Sequence, residues 1–158
     1  MKTIIRNARQ EDMRAVLTLI QELADFEKEP EAVDITVSVL ETHGFGSHPS
    51  FQCFVAEEEE GIVGIALVYF RFSTWKGPII HLEDLMVSEK KRGAGIGAAL
   101  YRRVMEYAAE QGVKRVSWEV LDWNTPAIDF YEKSGAKILD GWHVVQMDEK
   151  GLTTFLKK

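Results

Sequence analysis

The sequence predicts one α/β domain, a mixed and mostly antiparallel sheet with helices on both faces. Three observations lead there. Residues 50–57 and 61–71 are apolar runs around the polar turn Glu58-Glu59-Glu60-Gly61, the signature of an antiparallel hairpin. Further on, an apolar run, a glycine-rich turn, an amphipathic stretch and a second apolar run follow in the order of a β-α-β crossover. The length of 158 residues suits a single core, and without a linker, repeat or low-complexity segment that one domain spans residues 1–158.

Taken in order, residues 3–6 read as a short strand and residues 10–28 as a helix, with Met13, Leu17, Ile20 and Ala24 along one face and Pro30 closing its exit. Asp34 is placed to cap a second helix carrying Val37, Leu40 and Glu41, stopped by Gly44 and Gly46. The hairpin follows, then the apolar run of residues 79–87, a strand that carries Glu83 and Asp84. Residues 96–111 put Leu100, Val104, Tyr107 and Ala108 at helical spacing, and Gly112 ends that helix. Residues 115–121 read as another strand. Asn124-Thr125-Pro126 is a helix start, with a polar cap and a proline in the first turn, and Ser134-Gly135 is its end. Residues 138–156 alternate apolar and polar positions and read as further strand.

Bulk properties narrow the function. Apolar content of 46% and charged content of 28% are those of an ordinary globular protein. No apolar run reaches the length of a membrane span, and the N-terminus lacks a signal-peptide core, so neither a membrane nor a secretory context is expected. The single cysteine, Cys53, precludes an internal disulfide, reads as buried packing in an apolar strand, and fits a cytoplasmic setting. A net charge of −6 argues against a nucleic-acid partner and suits a cationic one. His43, His48, His81 and His143 show no metal-ligand spacing, and no metal is expected.

The most informative stretch is Arg92-Gly93-Ala94-Gly95-Ile96-Gly97, between the strand carrying Glu83 and a helix. Glycines let the backbone turn tightly and direct successive N–H groups at one point. The unpaired amides and positive dipole end of a helix start favour an anion there, and Lys90, Lys91 and Arg92 add cationic side chains. This is a pyrophosphate cradle. A P-loop requires Lys-Ser or Lys-Thr after the glycines, which is absent. Residues 93–98 formally satisfy the dinucleotide fingerprint, yet that loop directly follows the first strand of its unit, whereas here a basic segment intervenes and several strands precede it.

With this loop the chain resembles the GNAT acetyltransferases, whose acetyl-CoA pyrophosphate loop is R/Q-x-x-G-x-G/A. Within that family it is most similar to the diamine acetyltransferases, the spermidine/spermine and thialysine enzymes. That likeness rests on Glu22-Leu23-Ala24-Asp25-Phe26-Glu27, His43-Gly44-Phe45-Gly46, Ser73-Thr74-Trp75-Lys76-Gly77 and Leu82-Glu83-Asp84. It continues through Leu121-Asp122-Trp123-Asn124, Phe130-Tyr131-Glu132-Lys133-Ser134-Gly135-Ala136 and Gly141-Trp142-His143, in family order over nearly the whole chain.

The resemblance implies acetyl transfer from acetyl-CoA to a small primary amine, with attack in a ternary complex. Glu83 sits in an otherwise apolar strand, where a carboxylate is costly unless it faces a wet cleft or a partner. In the family motif it takes the amine proton. Strict strand alternation sends Asp84 to the opposite face, so only one of the two is expected in the cleft. Tyr131 matches the family's proton donor to the departing thiolate. Leu85, Met86 and Val87 match the strand end whose amides polarise the carbonyl, beside a splay from the next strand that holds the pantetheine arm. Arg92, Gly93, Ala94, Gly95, Ile96, Gly97 and Ala98 match the pyrophosphate loop, and Asn124, Thr125, Pro126 and Ala127 a further coenzyme contact.

For the acceptor, the matching positions are Phe26, Glu27, Glu83, Ser117, Trp118 and Glu119, with Trp75 or Trp118 as an aromatic face for an ammonium. Ser73 stands where polyamine-specific relatives carry an acidic residue, which tilts the likeness toward the thialysine branch and a lysine-like acceptor. The family also implies a homodimer through strands after Gly141, supported by the apolar Trp142, Val144, Val145 and Phe155. The competing readings are a protein lysine or N-terminal acetyltransferase, which needs an open peptide groove where residues 44–50 read as a cover, and a non-catalytic acyl-CoA-binding relative, against which Glu83 and Tyr131 both count.

Overall fold

The computed structural model describes residues 2–157. The chain divides into two compact units, Met1–Glu119 and Val120–Lys158. The first holds strands β1 (Ile4–Asn7), β2 (Gln52–Glu58), β3 (Gly61–Ser73), β4 (Gly77–Val87) and β5 (Val116–Ser117), with helices α1 (Met13–Phe26), α2 (Val37–Phe45) and α3 (Ile96–Glu110). The second holds α4 (Thr125–Lys133) and α5 (Glu149–Leu156).

The sheet is mixed, in the order β1-β2-β3-β4-β5. The first four strands pair antiparallel, as the hairpin signature predicts, and β5 joins β4 in parallel after the α3 crossover. Alternation along the strands fills two cores. Phe54, Ala66, Val68, Ile80 and Leu82 meet Ile96, Leu100 and Val104 of α3. Cys53, Val55, Ile65 and Met86 meet Met13, Val16, Leu19 and Leu40 of α1 and α2. Each of these large apolar side chains, removed from water, stabilises the fold by roughly 1.5–3 kcal/mol. Helices therefore cover both faces, with the sheet's central strands buried between them. Cys53 is buried as expected, and burial pushes its thiol up to about 12.

Four local expectations are corrected. Residues 10–12 form a 3-10 turn and α1 begins at Met13; it ends at Phe26 because Lys28 takes a left-handed backbone, φ 66°, that no helix continues through. Thr36, not Asp34, caps α2, its hydroxyl accepting from Val39 N at 3.3 Å. The strand expected over residues 115–121 is paired only at Val116–Ser117. Residues 138–148 form no strand, and α5 follows. There Asp148 accepts from Gly151 N at 2.7 Å, and Leu152, Phe155 and Leu156 repeat at helical rather than strand spacing.

Candidate active site

β4 is the spine of the site, and its pairing with β3 contains one irregularity. Leu67 pairs with Asp84 and Val68 with Leu82, so Glu83 is an extra residue opposite none. This bulge reverses the alternation. Before it, Ile80 and Leu82 face α3; after it, Leu85 and Val87 do, while Met86 joins the α1–α2 core. Glu83 and Asp84 consequently end on the same side of the sheet, where both line one cavity. Strict alternation, which would separate them, fails because the strand is not regular at that point.

The cavity measures about 380 Å³. Its walls are mainly apolar, from Ile20, Val39, Leu40 and Phe51, with Leu67 and Tyr69 contributed by β3. His43 and Ser50 also line it and bind one another, Ser50 N donating to His43 O at 2.7 Å and His43 Nδ1 lying 3.2 Å from Ser50 Oγ. The segment between them, residues 44–49, thus forms a tight closed loop at the cavity wall.

Carboxylates give this cavity its electrostatic character. Burial, then Glu83 and Glu27, pushes the Asp84 carboxyl up to about 6. Loss of solvation raises Glu27 as well. Tyr69 is raised by burial and by the Glu83 carboxylate it faces. Desolvation is the leading cause for all three, so the neutral form of each is favoured in the fold.

Beside Glu83 lies a buried histidine. His81 Nε2 is 3.6 Å from Glu83 Oε2, and its Nδ1 is 3.1 Å from Ser117 Oγ on β5. Its ring meets Tyr69 at 5.1 Å between centroids. Burial lowers His81 from its usual value against the opposing pull of Glu83 and Glu119. The imidazole is therefore neutral at neutral pH.

The remaining acceptor positions are dispersed. Ser117 joins the site through His81, and Glu119 acts on His81 and Tyr69 through its charge. Trp118 instead packs on the α3 side, edge-on to Tyr101 at 5.7 Å. Phe26 lies beneath the Arg92 guanidinium, 5.0 Å to the ring centroid. Trp75 is 78% exposed in the β3–β4 turn, and the aromatic walls of the cavity are Phe51 and Tyr69.

Arg92 to Ala98 form the turn into α3. Gly93 and Gly95 both have φ 81°, a backbone for which glycine is suited, and a Cβ on either would meet nothing within 4 Å. Gly95 is the N-cap of α3 and no side chain caps that helix, so its first-turn amides are left without a side-chain acceptor. These residues fit a pyrophosphate. Two of the three cationic side chains at this loop are engaged elsewhere: Lys91 with Glu58 and Glu60, and Arg92 with Val87 O at 3.1 Å.

Leu85, Met86 and Val87 pair with Ala66, Ile65 and Gly64 of β3 on one edge. On the other edge β5 pairs only with Ile80 and His81, so among the described residues no strand continues alongside residues 82–87. That parting leaves backbone edge for an extended ligand.

In the second unit, Asn124 caps α4, its side-chain oxygen accepting from Ala127 N at 3.4 Å, with Thr125 and Pro126 in the first turn. Tyr131 is the buried residue of that helix, its ring edge-on to Phe130. Sequence reasoning missed Asp84, Tyr69, Phe51 and the His81–Ser117 pair. Tyr69 and Leu67 share a face two residues apart, a legible signal; the bulge that turns Asp84 inward has no glycine or proline to mark it.

Residues 2–136 match the acetyltransferase (GNAT) family. The thialysine N-epsilon-acetyltransferase of Bos taurus is 39% identical over 160 residues, covering 94% of each chain. The spermidine/spermine N(1)-acetyltransferase-like protein 1 of Homo sapiens is 33% identical over 158 residues, which are 94% of this chain and 23% of that protein. In fold, an integron cassette protein from the mobile metagenome of V. cholerae superposes with a TM-score of 0.80 at 22% identity, covering 100% of this chain and 99% of the other.

Proposed function

The chain belongs to the acetyltransferase (GNAT) family, and is thereby an acetyl-CoA-dependent N-acetyltransferase; from that premise we propose that it acetylates a primary amine of a small cationic acceptor. The acceptor is a diamine, a polyamine or a thialysine- or lysine-like amino acid. One observation carries this reading: the β4 bulge turns Glu83 and Asp84 together into an otherwise mainly apolar cavity. Such a pocket suits an aliphatic stem ending in an ammonium group. Ser73 at the end of β3 and the relative named for thialysine favour the lysine-like branch.

Acetyl-CoA supplies an acetyl group activated as a thioester. In the proposed site residues Arg92 to Ala98 hold its pyrophosphate through backbone amides, Leu85 to Val87 offer amides to the carbonyl oxygen, and Asn124 to Ala127 make a further contact. An alkylammonium has a pKa of about 10 and must lose a proton before it attacks. Glu83 takes that proton, directly or through one water. The acceptor nitrogen then forms its bond to the acetyl carbon as the carbon–sulfur bond breaks. Tyr131 gives its hydroxyl proton to the departing sulfur, and the second proton, shed by the acylated nitrogen, restores the tyrosine hydroxyl through solvent. Both substrates are bound together, with no acetyl group resting on the protein.

We further propose a cytoplasmic homodimer. No described helix is long and apolar enough to cross a membrane, and the exposed Trp142, Val144, Val145 and Phe155 are apolar surface for a second copy. Sedimentation at micromolar concentration then gives about twice 18.0 kDa, and a species at 18.0 kDa refutes the dimer. A panel of amines with acetyl-CoA, read by release of free thiol, tests the activity. Diamines and lysine-like amino acids are expected to turn over. Turnover confined to peptides or protein N-termini refutes the small-acceptor reading.

A further inference from the structure

Three neighbouring strands place Tyr69, His81 and Ser117 on one rung, since Tyr69 pairs with His81 and His81 with Ser117. Glu83 lies two residues beyond His81 on β4, which puts the two side chains on one face before the bulge. His81 is only 7% exposed, so its nitrogens must be satisfied within the protein. Those available are the Ser117 hydroxyl, 3.1 Å from Nδ1, and the Glu83 carboxylate, 3.6 Å from Nε2.

The chemistry of these neighbours selects one tautomer. A carboxylate only accepts, so the nitrogen facing it has to carry the proton. Nδ1 is then the acceptor, and the Ser117 hydroxyl, which rotates freely, donates to it. The result is a directed chain: Ser117 Oγ–H to His81 Nδ1, and His81 Nε2–H toward Glu83 Oε2.

We propose that His81 is the positioning residue for Glu83, fixing one carboxylate oxygen so that the other is presented to the acceptor ammonium. This rests on the reading of Glu83 as the base. A glutamate at a bulge has several rotamers open to it, and Glu83 keeps 51% of its side chain exposed. Tying one oxygen to a buried ring selects the productive rotamer. At 3.6 Å the contact is longer than a hydrogen bond, so the proposed role requires it to tighten when the acceptor binds. Around this pair, Tyr69 and Arg71 act from β3, Glu119 from beyond β5 and Asp84 from the cavity, with Glu27 acting on Asp84.

The test uses the full chain. Nitrogen-15 NMR of the wild-type imidazole is expected to show the Nε2–H tautomer at neutral pH; an Nδ1–H tautomer overturns the proposal. His81→Phe keeps a buried ring and removes both nitrogens. It is expected to lower kcat by about ten- to a hundredfold, the usual worth of a partner one step from the reacting group. It is also expected to move the acid limb of kcat/KM upward by about one pH unit, with KM for acetyl-CoA unchanged. His81→Gln, which restores an N–H at the distal position, brings the limb back toward wild type. An unmoved limb in folded His81→Phe, with Glu83→Gln inactive, overturns the role of His81 and leaves that of Glu83. Near-normal turnover by Glu83→Gln refutes both. Should His81→Phe not fold, Ser117→Ala decides, an unchanged limb in that variant overturning the proposal.

Discussion

The guanidinium of Arg92 lies over the ring of Phe26, 5.0 Å from its centroid, while its Nε donates to Val87 O at 3.1 Å. The first residue of the glycine-rich loop thereby ties the end of α1 to the end of β4. Arg92 is occupied in fastening the elements around the glycine-rich loop. Phe26→Leu removes the ring face and keeps an apolar side chain. It is expected to cost about 0.5–1 kcal/mol, the worth of an exposed cation–π contact, measured by urea unfolding.

Gly95→Asp tests the cradle. The substitution sets a side chain and a negative charge at the start of α3, at φ 81°, where the first-turn amides converge. The backbone strain is of order 1–3 kcal/mol, which the fold is expected to survive. Affinity for coenzyme A, by calorimetry, is expected to fall beyond detection. An unchanged affinity in a folded variant removes the loop from the coenzyme site.

Asp84 carries a pH-dependent penalty. Its carboxyl rises from 3.8 to about 6 in the fold, so between those values the folded chain holds a proton that the unfolded chain has released. Stability therefore falls as pH rises through that window and levels off above it. Asp84→Asn removes the penalty. It is expected to stabilise the protein by roughly 1–3 kcal/mol at pH 7, with the gain vanishing below pH of about 4. Because the lost charge faces the proposed acceptor cavity, KM for the amine is expected to rise in the same variant. A gain independent of pH refutes the assignment.

Tyr131→Phe removes one hydroxyl and keeps the buried ring. If that hydroxyl protonates the departing thiolate, kcat falls by roughly 10²–10⁴-fold. The lower end is expected, since a thiol with a pKa of about 8.5 leaves readily. KM for acetyl-CoA stays within a few-fold, because the interaction belongs to the transition state. Near-normal turnover with the best amine makes Tyr131 a packing residue.

The sequence by itself determined the elements whose signals are local. Apolar runs around Glu58-Glu59-Glu60 set β2 and β3, glycines and a following 3.6-residue period set the loop into α3, and Asn124 with Pro126 set the start of α4. Each depends on residues within a few positions of one another, so pattern suffices. The C-terminal stretch misled because Trp142 and Val144, then Val145 and Met147, are spaced by two before Asp148 caps a helix, and so short an alternation competes poorly with a cap and three apolar residues at helical spacing. What the tertiary structure alone decided is the inside of the site. Glu83 is left over because β3 and β4 pair out of step by one residue, and that misfit sends Asp84 to the side where Glu83 already points. His81 meets Ser117 only because β5 returns beside β4 after the α3 crossover. Both facts are registers between strands distant in sequence, and a register is fixed by how two cores fill on opposite faces of a sheet.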